Sequence, residues 1–123
     1  MADGIPLIRA TVMPTDINPY GGVFGGWLIG QMALAAGSLA SRHSKGKAVV
    51  VAADELRFPS APKLGDEVSV YAVLEGQGRT SMTIAAKAVA RERHGETETT
   101  AATGRFTFVA LDDEGRPRPV VQD

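Results

Sequence analysis

The chain contains no cysteine in 123 residues. That excludes disulfides and thiolate metal sites, and it suits a reducing, cytoplasmic setting. Net charge is almost absent too: 13 Lys and Arg against 14 Asp and Glu leave −1. With the basic residues scattered rather than clustered, the electrostatic footprint of a nucleic-acid binder is missing. Nor is there a membrane span. A bilayer takes about 20 mainly apolar residues, and the stretch from Phe24 to Ala40 is shorter and interrupted by Gln31 and Ser38. The opening "MADGIPLIRA" lacks the basic and apolar regions of a secretory signal. Nothing is repeated or of low complexity, and the length indicates one domain over residues 1–123. Residues 112–123, "DDEGRPRPVVQD", read as a turn followed by an extended, exposed tail.

What is present begins with "GGVFGGWLIGQMALAAGSLAS", residues 21–41, rich in glycine and free of charge. Phe24, Leu28, Met32, Ala35 and Leu39 recur at the spacing of one helical face. Gly30, Ala33, Gly37 and Ser41 share another. The spacing predicts a helix from Phe24 to about Arg42, with Arg42 and His43 at its negative end. An interior glycine costs about 1 kcal/mol relative to alanine, so Gly30 and Gly37 imply close approach to the backbone. A helix apolar nearly all round has to be wrapped by other structure.

The rest of the chain supplies that wrapping as strands. "GIPLIRATVM" (4–13) and "AVVVAADELRF" (48–58) are the first two. "EVSVYAVLEG", "TSMTIAAKAVARER" and "TETTAATGRFTFVAL" alternate apolar and polar residues with turn signals between them. Such runs make an antiparallel meander. The expected class is α+β, a curved sheet around one central helix. His94, in "RERHGE", falls in a hairpin.

The helix start carries the first chemical signal. Backbone N–H groups there lack intrahelical partners and carry partial positive charge. Gly25 and Gly26 expose them with no side chain in the way, so a carbonyl or oxyanion can approach. Gln31 and Ser38, seven apart on one side of the helix, can orient a carbonyl or water but are poor bases. In the second strand the even positions Val50, Ala52, Leu56 and Phe58 are apolar, and Asp54 shares their face under strict alternation. A carboxylate on an apolar face is costly unless hydrogen-bonded or catalytic, which makes Asp54 a candidate base, with a structural hydrogen-bonding role as the competing reading. Asp16 reads as a turn residue.

"MPTDINPYGGVFGGW", then "AGSLASRH", Phe58, Pro62, Gly65 with Asp66, and the ending "FTFVALDDEGRPRPV" resemble the hotdog-fold acyl-CoA thioesterases. The likeness is closest to the single-hotdog hydrolases of the YciA type and covers about Arg9 to Pro119. The resemblance implies a hotdog fold and hydrolysis of an acyl-CoA, with CoA present only as part of the substrate and no separate cofactor or metal. It also implies at least a homodimer, because hotdog sites form between two subunits. Asn18 falls where the family has an asparagine that helps hold the substrate or attacking water. The family's helix carboxylate, the general base or nucleophile, falls on Ala33. Gly22 stands where a polar residue often precedes the aromatic of "FGG". In "GRTSM", Arg79, Thr80 and Ser81 are candidate contacts for the CoA phosphates. The functional expectation is therefore a thioesterase using Asn18 and Asp54, with Gly25, Gly26 and Gln31 at the substrate. The alternative is a hotdog protein that binds acyl thioesters or a partner subunit without turnover. A hydratase-type site, suggested by "DINP", requires a histidine where the chain has Gly21, and is excluded.

Overall fold

The computed structural model describes residues 4–121. In chain order the elements are β1 (Ile8–Thr11), a 3-10 turn (Pro14–Asp16), α1 (Gly25–Ser44), β2 (Ala48–Arg57), β3 (Glu67–Gln77), β4 (Ser81–Arg91) and β5 (Glu98–Ala110). The five strands form one antiparallel sheet in the order β1-β3-β4-β5-β2, with α1 packed against it. This is the hotdog arrangement. Among the described residues no helix is long and apolar enough to cross a membrane.

The period-two runs explain the sheet. Val68 and Val70 of β3, Met82, Ile84, Ala86 and Ala88 of β4, and Phe106 and Phe108 of β5 are buried on the helix side. From α1 they meet Leu28, Met32, Ala35, Ala36 and Ala40. Gly37 bears out the small-residue reading of the helix, since a Cβ there would stand 3.4 Å from the Phe108 ring, but Gly30 does not: it is exposed and a Cβ on it would meet nothing within 4 Å. Gly104 of β5 is tighter still. A Cβ on it would lie 2.6 Å from Leu56 Cδ2, 3.4 Å from the Phe106 ring and 3.7 Å from Met32 Cε. Overpacking a filled core typically costs about 1–3 kcal/mol. Gly104→Val is therefore expected to lower stability by about that amount, read as a reduced denaturant midpoint at unchanged slope.

Two expectations need correction. The segment after β5 is a turn followed by mainly exposed residues, as expected, but it is not a free extended tail. Asp112 closes a turn by accepting the Glu114 and Arg116 amides on Oδ1 (2.9 and 2.8 Å), and Leu111 bridges to Pro117. The chain then folds back until Val120 is 3% exposed in the core. Proline spacing suggested extension, but the contacts that hold this segment are with residues far away in sequence. Residues 122 and 123 lie outside the described residues.

The second correction concerns β2. Its register against β5 shifts twice, between Val50 and Ala52 and between Asp54 and Arg57. Each bulge inserts a residue and breaks strict alternation. Val50 opposes the buried Phe108 and Leu56 packs on the core, but Asp54 opposes Arg105. Arg105 stands between the core-facing Gly104 and Phe106, so it projects on the other side of the sheet. Asp54 does not share a face with Leu56. The second bulge places Glu55 in the left-handed region, φ 52°, a conformation that costs a non-glycine residue about 1–2 kcal/mol.

Candidate functional site

The loop before α1 is built around Asn18. Its Oδ1 accepts the Tyr20 amide at 2.7 Å and the Gly22 amide at 3.3 Å. Its backbone N–H donates to the Gly22 carbonyl at 2.6 Å. The side-chain oxygen is thus committed to the turn, and the Nδ2 amide is what remains for chemistry. Asn18 can donate a hydrogen bond but has little capacity left to accept one. Asp16 is the turn residue expected: its Oδ2 accepts the Met13 amide at 2.9 Å, and its carbonyl accepts the Phe24 amide at 2.9 Å. Those bonds fix where α1 begins.

At that beginning Phe24 is the N-cap and offers no side-chain acceptor. The Trp27 and Leu28 amides turn back to the Phe24 carbonyl at 3.1 and 3.3 Å. Among the described residues, the amides of Gly25 and Gly26 have no such partner. A Cβ on Gly26 would meet nothing within 4 Å, while one on Gly25 would lie 3.8 Å from the Phe58 ring. The half-exposed Phe58 therefore forms one wall beside two uncovered N–H groups at the positive end of a 20-residue helix. An oxyanion or polarised carbonyl fits there.

The remaining candidates are more dispersed. Gln31 is half-buried on α1 with no hydrogen bond among the described residues, and Ala33 is half-buried in the third turn. Asp54 is exposed on β2, with no hydrogen bond or ion pair among the described residues. It lies four residues before Phe58, roughly 13 Å along an extended strand, and on the opposite face. Within one protomer Asp54 is not brought to Asn18 or to the glycine amides. Arg79, Thr80 and Ser81 form the β3–β4 turn, closed by the Gly78 amide donating to the Ser81 carbonyl at 2.9 Å. His43 binds Gln77 across Nε2 and Oε1 at 2.7 Å, so this turn sits by the C-terminal end of α1. At 1.5 Å per residue α1 is about 30 Å long, and Arg79 is at the far end from Gly25.

The odd positions Glu55 and Arg57 of β2 suit a solvated or interface side, but sequence reasoning did not anticipate the charge cluster that forms on this outer face. Arg105 pairs with Glu55 at 2.6 Å and Glu75 at 2.8 Å. The hydrogen bond it donates to Glu75 and then the charge of Glu55 push its guanidinium pKa further up. These groups border a depression of about 380 Å³ with Arg57, Tyr71 and Lys87 around it. None of its lining residues belongs to the helix start. The only sequence signal was the charged pattern at 55, 57 and 105, which reads as an ordinary solvated face.

Comparison with known proteins narrows the chemistry. The profile described as the thioesterase superfamily matches residues 20–97. An uncharacterized acyl-CoA thioester hydrolase of Zymomonas mobilis is 46% identical over 93% of this chain and 76% of its own length. The acyl-CoA thioester hydrolase YciA of Salmonella typhimurium is 36% identical over 93% of this chain and 88% of its own. A solved hexameric broad specificity acyl-coenzyme A thioesterase, in an aspartate-to-alanine variant, superposes with a TM-score of 0.93. It shares 31% identity, covering 98% of this chain and 89% of that one.

Proposed function

The chain belongs to the thioesterase superfamily, among the hotdog acyl-CoA thioester hydrolases, and on that premise we propose that it hydrolyses the thioester of an acyl-CoA to the free acid and CoA. The observation that carries this reading is the helix start, where two glycine amides are unpartnered and unshielded, with the Phe58 ring beside Gly25 and Asn18 in the loop that leads into the helix. Attack of water on a thioester carbonyl moves negative charge onto its oxygen. Fixed N–H donors aimed at that oxygen stabilise the charge more as it develops than in the ground state. Gly25 and Gly26 polarise the carbonyl, and Asn18 supplies a further donor toward the carbonyl or the water. Gln31 lines the helix side of the substrate.

In this reading the active unit is a homo-oligomer. Asp54 lies on the free edge strand, and the Arg79–Ser81 turn lies a helix length from Gly25. Both join the site only if another protomer brings them there. Asp54 then accepts the proton of the attacking water, and Arg79, Thr80 and Ser81 meet the CoA phosphates. The hexameric state of the structural neighbour supports assembly beyond a dimer. Ala33 favours a second reading, in which the acyl thioester is bound but turned over slowly or not at all, because alanine can neither take up a proton nor attack.

The test is thiol release and calorimetric binding over acyl-CoAs of graded chain length. Release above the uncatalysed rate supports hydrolysis, binding without release supports the second reading, and neither overturns both. Asn18→Asp is the more pointed check. It keeps the side-chain oxygen that closes the turn and removes the Nδ2 donor. Thermal stability is expected to change little, while hydrolysis falls about tenfold, the worth of one lost hydrogen bond.

A further inference from the structure

The C-terminal segment has more structure than a trailing end requires, and it centres on Arg118. The guanidinium donates from Nε to the Leu111 carbonyl at 2.7 Å, and from Nη1 to the Ser44 carbonyl at 2.9 Å. Nη2 reaches the Ser44 hydroxyl at 3.2 Å and the Lys47 carbonyl at 3.3 Å. Ser44 is the last residue of α1 and is buried, and Lys45 leaves the helix in a left-handed turn at φ 59°. One cation therefore satisfies a free carbonyl at the negative end of the helix dipole. A planar fork with five donors can do this where an ammonium cannot. Gly46 leaves the space: a Cβ there would stand 2.5 Å from Nη2.

What this anchor holds is the β3–β4 turn. The backbone amide of Arg118 donates to the Ala110 carbonyl at 2.9 Å, and the Ala110 amide donates to the Thr80 carbonyl at 2.9 Å. Two residues on, the Val120 amide donates to the Arg79 carbonyl at 2.9 Å, with its side chain sunk in the core. The flanking Pro117 and Pro119 restrict the backbone between these bonds. The carbonyls of Arg79 and Thr80 are thus tied down from both sides of Arg118. The Arg79 side chain remains exposed and makes no hydrogen bond or ion pair among the described residues.

We infer that Arg118 is a positioning residue that holds the Arg79–Ser81 turn in the conformation that receives the phosphates of CoA. The inference rests on the reading of that turn given above. A loop ordered before binding loses less conformational freedom when the ligand arrives, so releasing it weakens binding without removing any group that touches the ligand.

The experiment is calorimetric titration of CoA into the intact oligomer for wild type, Arg79→Ala, Arg118→Gln, Arg118→Lys and the Arg79→Ala/Arg118→Gln pair. Each single change to Ala or Gln is expected to raise the CoA Kd about tenfold, equivalent to about 1.4 kcal/mol. The pair should bind no more weakly than either single variant, because the two act through one contact. Hydrogen exchange should accelerate at Gly78–Ser81 and Val120 in Arg118→Gln, and Arg118→Lys, which keeps one charged donor, should recover part of the affinity and protection. If Arg79→Ala weakens CoA but a folded Arg118→Gln does not, or if the two losses simply add, Arg118 serves stability alone. If Arg79→Ala leaves CoA binding unchanged, the reading of the turn fails and the inference falls with it. Should Arg118→Gln not fold, unchanged CoA affinity in Arg118→Lys together with accelerated exchange at Val120 would overturn the inference equally.

Discussion

Ala33→Asp is expected to raise the hydrolysis rate, by up to the roughly 10² to 10⁴-fold that a positioned acid or base usually contributes where Asp54 does not already fill that role, while CoA affinity stays nearly constant. Ala33 sits in the third turn of α1, on the same side as Gly26, Gly30 and Gly37, and is only half-buried. Ala33 packs at the margin of the core, so an aspartate there is partly desolvated. Its side chain leans toward the helix N-terminus, as all helical side chains do, and so toward the glycine amides. The fold loses the difference in helix propensity, up to about 0.7 kcal/mol, together with the cost of partly desolvating the carboxylate. The gain is a proton acceptor where the chain has a methyl group. The measurement is kcat and Kd with one acyl-CoA for wild type, Ala33→Asp and Asp54→Asn. A rise in the first variant at unchanged Kd identifies a missing base. A fall in Asp54→Asn identifies the group that serves in its place. Rapid wild-type turnover that neither change affects would remove both residues from the chemistry.

The comparison of Ala33 with Asp54 also shows where sequence is informative and where it is not. Helix α1 was legible because a long uncharged run, glycines at one end and Arg42 with His43 at the other all agree. Strands β3, β4 and β5 were legible because their alternation runs almost unbroken: Val68 and Val70, Met82, Ile84, Ala86 and Ala88, and Phe106 and Phe108 fall on the helix side. Strand β2 was legible in extent, residues 48–58 against the observed Ala48–Arg57, but not in its faces, because two bulges shift them and neither carries a marker. The usual marker for a left-handed bulge residue is glycine, and this chain has Glu55. Asp54 therefore changed sides without any signal in composition or spacing. Arg118 was invisible for a different reason. Its acceptors are carbonyls at positions 44, 47 and 111, and backbone carbonyls leave no trace in sequence. The glycine amides could be placed at the helix start from the motif alone. Whether they meet Asp54 depends on a second protomer, which one chain's sequence does not place.

That second protomer is the subject of the other large effect. Val50→Lys is expected to dissociate the assembly and to abolish most hydrolysis, while the single protomer stays folded. Strand β2 is a sheet edge ten residues long, and Val49, Val50 and Val51 are 44%, 48% and 58% exposed on it. A long apolar edge offers unpaired backbone groups and apolar area together, and proteins that stay monomeric usually disable such edges with charge, proline or shortness. No charge or proline protects residues 48 to 53, and only the bulge between Val50 and Ala52 interrupts the edge. Val50 opposes Phe108, so it points to the helix side, where a partner strand would enclose it. In the free protomer a lysine there can run its stem over the core and hold its ammonium in water. In a paired edge the charge has no way out, and each buried unpaired charge costs several kcal/mol. A two-fold interface would bury two copies of the lysine, so at about 1.4 kcal/mol per tenfold the dissociation constant of such a pair should rise by at least about 10³. Sedimentation reads the protomer mass, circular dichroism the retained fold, and thiol release the activity. If activity falls in step with the assembled fraction, the site is shared between protomers. Full activity in a folded monomer would place every needed group within one chain, and Asp54 and Arg79 would then have no part in it.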